Sequence, residues 1–225
     1  MGVRSQSART PDDQPLELIA PLVDLPGVGR NLCEHPVIRL GLALRPEARA
    51  ASLGVLANEC GLRTQATPGG FNDLMMFASN LGESTAEGGI GVSLAQPYSR
   101  GRVTLCSAAP EIDPVIEFDL LSDADDLTRL QAGVRQAVRI LQHRAFRKIC
   151  EGISIPGDDL LKHCQGFFHA AGTCRMGSVV NADGVVMGFS RLRVADASIL
   201  PQLPRAATYL TATMIAEHMA ARMKR

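Results

Sequence analysis

The hydrophobic pattern of this chain changes period once, and that change limits the architectures open to it. From Val37 to about Ser122 the apolar residues fall into short segments bounded by turn residues. "VIRLGLAL" (Val37 to Leu44), "FNDLMMFAS", "GGIGVSLAQP", "GRVTLCS" and "PVIEFDLLS" all read as strands. The last sets Val115, Glu117 and Asp119 against Ile116, Phe118 and Leu120, the alternation of a half-buried strand. "GRVTLCS" is expected to pair with the strand before it across "YSR", as a hairpin. At Ser122 and Asp123, both good caps, the period becomes helical. Leu127, Leu130, Val134, Val138 and Leu141 then recur on one face to about His143. Short helices around Ala145 to Cys150 and Asp158 to Cys164 follow, then a strand over Leu192 to Pro201 and a last helix from about Leu210 to Arg225. Strands precede helices, with no βαβ alternation until the end. That order predicts the α+β class, with an antiparallel sheet and helices on one face.

A chain of 225 residues is long enough for one large domain or two small ones. Apolar and charged fractions of 46% and 20% are those of ordinary globular proteins. Lys plus Arg equals Asp plus Glu at 23 each, and Trp is absent, so neither a basic patch nor aromatic stacking platforms point to nucleic acid. No apolar run reaches the roughly 18 residues of a membrane span. The six cysteines form no CxxC pair, and the first residues have no apolar signal-like core. A cytoplasmic protein with free thiols is therefore expected. Residues Met1 to about Pro15 are polar and aperiodic and read as a disordered lead.

Several residue groups could carry chemistry. "GVGRNL" offers Gly27 and Gly29, but the third glycine of a dinucleotide fingerprint would fall at Leu32, so a tight turn is the simpler reading. His163, Cys164, His169 and Cys174 match no common zinc spacing, and no metal site is expected. Cys174 beside His169 lacks an orienting carboxylate nearby in sequence, which favours a small buried thiol over a nucleophile. His169 stands after Phe167 and Phe168 and before a small-residue turn. Partial desolvation there favours a neutral imidazole, suited to taking a proton from an alcohol.

The segment "FFHAAGTCRMGSVVNADGVVMGFSRLRVADASILP", followed by "TATMIAEHMA", resembles the C-terminal signature of the glucose-methanol-choline (GMC) oxidoreductases. "GRVTL", "DPVIEFDLLSDADDLTRLQAGV" and "LPGVGRNLCEHP" resemble further segments of that family, so the likeness runs from about Leu25 onward. The resemblance implies an FAD-dependent alcohol dehydrogenase or oxidase. His169 would accept the hydroxyl proton of a small alcohol while hydride passes to flavin N5. Asp196 and Ala197 would run along the flavin. The last helix, with Leu210 and Thr211 in its first turn, would point its N-terminus at the flavin's C2 carbonyl. The implied organisation is a connecting segment of the FAD domain at 16–36, a substrate-binding domain at 37–165 and a return segment of the FAD domain at 166–225.

Two departures from the family pattern carry expectations of their own. The N-terminal Rossmann half, which precedes "LPGVG" in the family, is absent, and only 24 residues stand before Leu25. An incomplete edge of an FAD-binding domain is then expected, with the ADP cradle supplied by a separate chain or lost by truncation. The second catalytic position, Asn or His in the family, falls on Tyr209, whose phenol can donate a hydrogen bond but is a poor base. The alternative reading is a non-catalytic remnant or partner subunit that does not bind FAD alone.

Overall fold

A computed structural model describes residues 23–49, 60–79, 86–157 and 159–223. The expected disordered lead lies outside them. In chain order the elements are β1 (Arg30–Leu32), β2 (Pro36–Leu44), β3 (Cys60–Thr64), β4 (Leu74–Ser79), β5 (Glu87–Leu94), β6 (Gly101–Thr104) and β7 (Val115–Glu117). Then come α1 (Ala124–Leu141), α2 (Arg144–Ile149), β8 (Cys150–Ser154), α3 (Leu160–His163), β9 (Gln165–Gly166) and α4 (Tyr209–Met223). Strands before helices, joined in antiparallel sheets, is the α+β class that the change of period predicts.

The main sheet has the order β3-β4-β5-β2-β8, with β9 also on β2. Every pairing in it is antiparallel. Side chains alternate across a strand, so its two faces have different fates. Ile38, Leu40 and Leu42 of β2, Leu74 and Met76 of β4, and Ile90, Val92 and Leu94 of β5 point to one face and are buried there. Helix α1 covers them with Leu130, Val134, Ala137 and Leu141. Gly133 brings the helix close, since a Cβ there would stand 2.9 Å from Val92 and 3.0 Å from Leu74. Asp123 caps α1 by accepting from the backbone N–H of Asp125. The other face of the sheet carries Arg39, Gly41, Met75, Phe77, Gly89 and Gly91, and the site described below lies on that side.

Two expectations about strands are corrected. The segments before and after "YSR" do not form a hairpin: β5 pairs with β2 and β4, while β6 leaves for a separate sheet of order β1-β6-β7. The cause is tertiary. Asp126 of α1 accepts hydrogen bonds from the backbone N–H groups of Tyr98 and Ser99 and from the Ser99 hydroxyl, at 2.6–2.9 Å. Arg129 donates to Asp126 at 2.6 Å and to the Gln96 carbonyl at 3.0 Å, and lies over the Tyr98 ring. The connection is thereby fastened to the helix and cannot turn back. Leu192 to Pro201 is not a strand either. It makes one isolated bridge, Arg193 with Val185, and then a 3-10 turn at Ala197–Ile199 capped by the Asp196 side chain. The alternation of "PVIEFDLLS" persists as a strand only over Val115–Glu117, because Asp119 and Leu121 take positive φ.

A second, smaller core joins Val179, Val180, Val186, Ile199, Ile215 and Met219, which packs α4 against the 176–200 segment. Among the described residues no helix is long and apolar enough to cross a membrane.

Candidate active site

His169 sits on a segment held from both sides. On one side, Cys33 and Ala171 exchange backbone hydrogen bonds of 2.8 and 3.0 Å, Phe167 donates to the His35 carbonyl at 3.1 Å, and Gly29 donates to Thr173 at 2.8 Å. On the other, Gly172 donates to Ala197, Cys174 to Ser198 and Met176 to Ile199. Gly172 has φ +92°, and a Cβ there would lie 2.5 Å from the Asn31 carbonyl oxygen, so the turn requires glycine. Asn31 donates to the Gly172 carbonyl and accepts from Arg100, which ties the turn back to the connection that α1 fastens.

Phe168 takes φ +60° although it carries a side chain, and 93% of it is exposed. Left-handed backbone costs a residue with a Cβ roughly 1–2 kcal/mol. Hydrogen bonds on both sides of it maintain the kink, from Phe167 N–H to His35 and from His169 N–H to Glu34. The consequence is that Phe167 and His169 turn inward together while Phe168 faces out. Phe167 stacks on Phe77 with ring centres 4.8 Å apart and an interplanar angle of 5°. Its edge meets the His169 ring at 4.9 Å. Phe77 can lie flat because its register partner is Gly91, where a Cβ would come within 2.1 Å of the phenyl ring. Gly91 also lines a cavity of about 540 Å³ over the same sheet face, with Gly41, Ala43, Gly89 and Ile153.

Two neighbours of His169 carry ionisable groups that sequence reasoning passed over. His35 is buried, and its Nδ1 lies 2.8 Å from Nδ1 of His169. Its Nε2 lies 3.1 Å from the carbonyl oxygens of Ala95 and Pro204. Burial, reinforced by the neighbouring His169, pushes the His35 imidazole down to about 4. Burial lowers His169 as well, so both rings are neutral near pH 7. Glu34, also buried, accepts from the backbone N–H of His35 at 2.7 Å and from that of His169 at 2.9 and 3.0 Å. Desolvation raises its carboxyl above the usual range in spite of these donors. Both residues stand in "LCEHP", next to the turn glycines, and only the fold shows that they meet a residue 134 and 135 positions away.

Of the remaining expected site residues, Tyr209, Leu210 and Thr211 open α4, while Asp196 and Ala197 stand at the start of the 3-10 turn that α4 contacts. Thr208 is buried, and its carbonyl accepts from Ala212 at 2.8 Å, so the N–H groups of Tyr209, Leu210 and Thr211 have no partner within α4. No acidic side chain stands in the first turn. Tyr209 and Leu210 are 74% and 75% exposed. Asp196 accepts from the Ser198 N–H, and Ala197 opens the 3-10 turn. Unpaired N–H donors without a competing carboxylate suit an electron-rich carbonyl edge of a planar group, so this donor set fits the ring of a flavin.

Comparison with known proteins gives the family. A family model described as GMC oxidoreductase matches residues 97–216. The chain is 34% identical to 5-(hydroxymethyl)furfural oxidase of Methylovorus sp. (strain MP688), over 88% of the chain and 44% of that protein. It is 31% identical to "alcohol dehydrogenase [acceptor]" of Pseudomonas putida, over 90% and 45%. Its fold is similar to that of pyridoxine 4-oxidase from Mesorbium loti, with TM-score 0.80 and 22% identity over 89% of the chain and 44% of the other. Aspergillus oryzae formate oxidase gives TM-score 0.81 at 21% identity, over 92% and 49%. The chain thus spans less than half the length of these relatives, and by its matched segment and its fold it belongs to the GMC oxidoreductase family.

Proposed function

We propose that this chain supplies the substrate-facing surface and the cofactor-edge elements of an FAD-dependent oxidoreductase that acts on the CH–OH group of an alcohol. The observation that carries this reading is His169: a neutral, half-buried imidazole, fixed through backbone and Nδ1 beside an aromatic wall. Bound flavin supplies the hydride acceptor. Asp196, Ala197, Leu210 and Thr211 would hold its ring edge. His169 takes the hydroxyl proton, which raises the electron density on the carbinol oxygen and makes the adjacent C–H a better hydride donor. The Tyr209 phenol donates a hydrogen bond to the same oxygen.

The stacked pair of Phe77 and Phe167 next to His169 favours a ring-bearing alcohol, in line with the furan alcohol oxidase among the relatives. The ADP-cradling half comes from polypeptide other than residues 23–223. Phe168, Leu210 and Met214, exposed apolar residues around the cofactor edge, give that half a surface to cover. The test is alcohol-dependent bleaching of flavin in the protein assembled with its flavin-binding half. His169→Gln is expected to slow the bleaching by about 10²–10⁴-fold. Bleaching at the full rate in His169→Gln would remove the base assignment.

A further inference from the structure

We infer that His35 is a positioning residue that sets the tautomer of His169, so that the base presents its Nε2 lone pair to the alcohol. The inference rests on the reading of His169 as the base, but the geometry behind it stands alone. His35 Nε2 faces two carbonyl oxygens, of Ala95 and Pro204, each at 3.1 Å. Carbonyl oxygens only accept, so Nε2 must carry hydrogen; a lone pair there would face two others. A neutral imidazole has one N–H, and therefore Nδ1 of His35 is an acceptor. Its partner at 2.8 Å is Nδ1 of His169, which must be the donor. With its hydrogen on Nδ1, His169 is left with a free lone pair on Nε2. Free histidines show no such strict choice. Here two backbone carbonyls, from the ends of β5 and the approach to α4, decide it through one buried ring.

The same arrangement holds the orientation. Glu34 accepts from the backbone N–H of both histidines, so the two rings cannot drift apart without releasing a buried carboxylate. When His169 takes the hydroxyl proton at Nε2, it becomes a cation with hydrogen on both nitrogens. Its Nδ1–H then donates to His35 as a charge-assisted bond, stronger than before. No other group needs to move. His35 remains neutral and does not touch the substrate, which makes it a positioning residue and not a catalytic one.

Two substitutions separate the parts of the ring. In His35→Asn the side-chain oxygen stands near the former Nδ1 and can still accept from His169. In His35→Gln the amide nitrogen stands near the former Nε2 and keeps the carbonyl contacts, but no acceptor faces His169. The measurement is long-range ¹⁵N–¹H correlation of the histidine rings in the 225-residue chain near pH 7.5. In the unaltered protein His169 is expected to show a protonated Nδ1 and an unprotonated Nε2. His35→Asn should keep this pattern, and His35→Gln should move the proton to Nε2. In the protein assembled with its flavin half, His35→Gln should then slow flavin reduction by about 10²-fold or more, the contribution of a positioned base, while His35→Asn keeps most of the rate. Protonated Nε2 on His169 in the unaltered chain overturns the inference whatever the variants do. So does an unchanged His169 pattern in His35→Gln. If instead His169→Gln reduces flavin at full rate, the base reading fails while the tautomer result stands.

Discussion

Gly91→Ala tests whether the aromatic wall beside His169 depends on a bare strand. An added Cβ would stand 2.1 Å from Cζ of Phe77 and 2.4 and 2.7 Å from its two Cε atoms. Carbon atoms meet comfortably at about 3.5–4.0 Å, so the ring must retreat by about 1.4 Å or more. Retreat breaks its parallel stack on Phe167, whose centre is 4.8 Å away. Overpacking of this kind costs about 1–3 kcal/mol, and an aromatic pair is worth about 0.5–1.5 kcal/mol beyond its buried area. Gly91→Ala should therefore destabilise the chain by about 2–4 kcal/mol. Urea titrations of the unaltered chain, Gly91→Ala, Phe77→Ala and the double variant give the cycle that isolates the ring. In the Phe77→Ala background the same substitution should cost less than about 0.5 kcal/mol, since the obstructing atoms are gone. The coupling would then be about 2 kcal/mol, within the range of residues in contact. Equal costs in both backgrounds would refute the reasoning, and the glycine would have to be explained by something other than the ring.

Two further outcomes follow from buried charge. His35 has a folded-state pKa of about 4 against about 6.5 in the unfolded chain, so between these values the unfolded state binds more protons. The stability this represents is present in full above about pH 6.5 and is lost as pH falls towards 4, by about 3 kcal/mol in all. Glu34, with its raised carboxyl, acts in the opposite sense, so the quantity to measure is the difference in pH dependence between the unaltered chain and His35→Asn. Parallel curves from pH 7 to 4 would remove the assignment. Asp126→Asn removes the nearer of the two buried carboxylates on Arg129, leaving Asp73 at 3.5 Å, and puts an amide where three donors from Tyr98 and Ser99 converge. A loss of about 3–5 kcal/mol is expected in denaturant titration, and a loss below 1 kcal/mol would show that the 96–100 connection is held by other means.

The fold class was legible because it depends on period, and period is local. Alternation in β2, β4 and β5 and the helical stripe of α1 are each written within about twenty residues, and the buried faces match them. Strand pairing was less legible. "YSR" has the length of a hairpin loop, yet a carboxylate on α1 holds its neighbours in another direction. The Leu192 to Pro201 segment has strand-like residues, but its backbone bonds are divided between the 184–186 and 172–176 segments and interrupted by the 3-10 turn at Ala197–Ile199, so no continuous ladder forms.

At the site the division has the same origin. The sequence by itself determined which residue types were on offer: a histidine after two phenylalanines, a glycine turn that only glycine can make, and a helix start free of acidic side chains. It also held the family signature from His169 to Glu217. Only the tertiary structure decided what His169 can do. Its tautomer depends on a hydrogen bond to His35, and that ring depends in turn on carbonyls of Ala95 and Pro204. These four residues span almost the whole described chain, and no local pattern relates them. A hydrogen bond needs its partners within about 3 Å, whereas a sequence period extends only as far as one helix or strand.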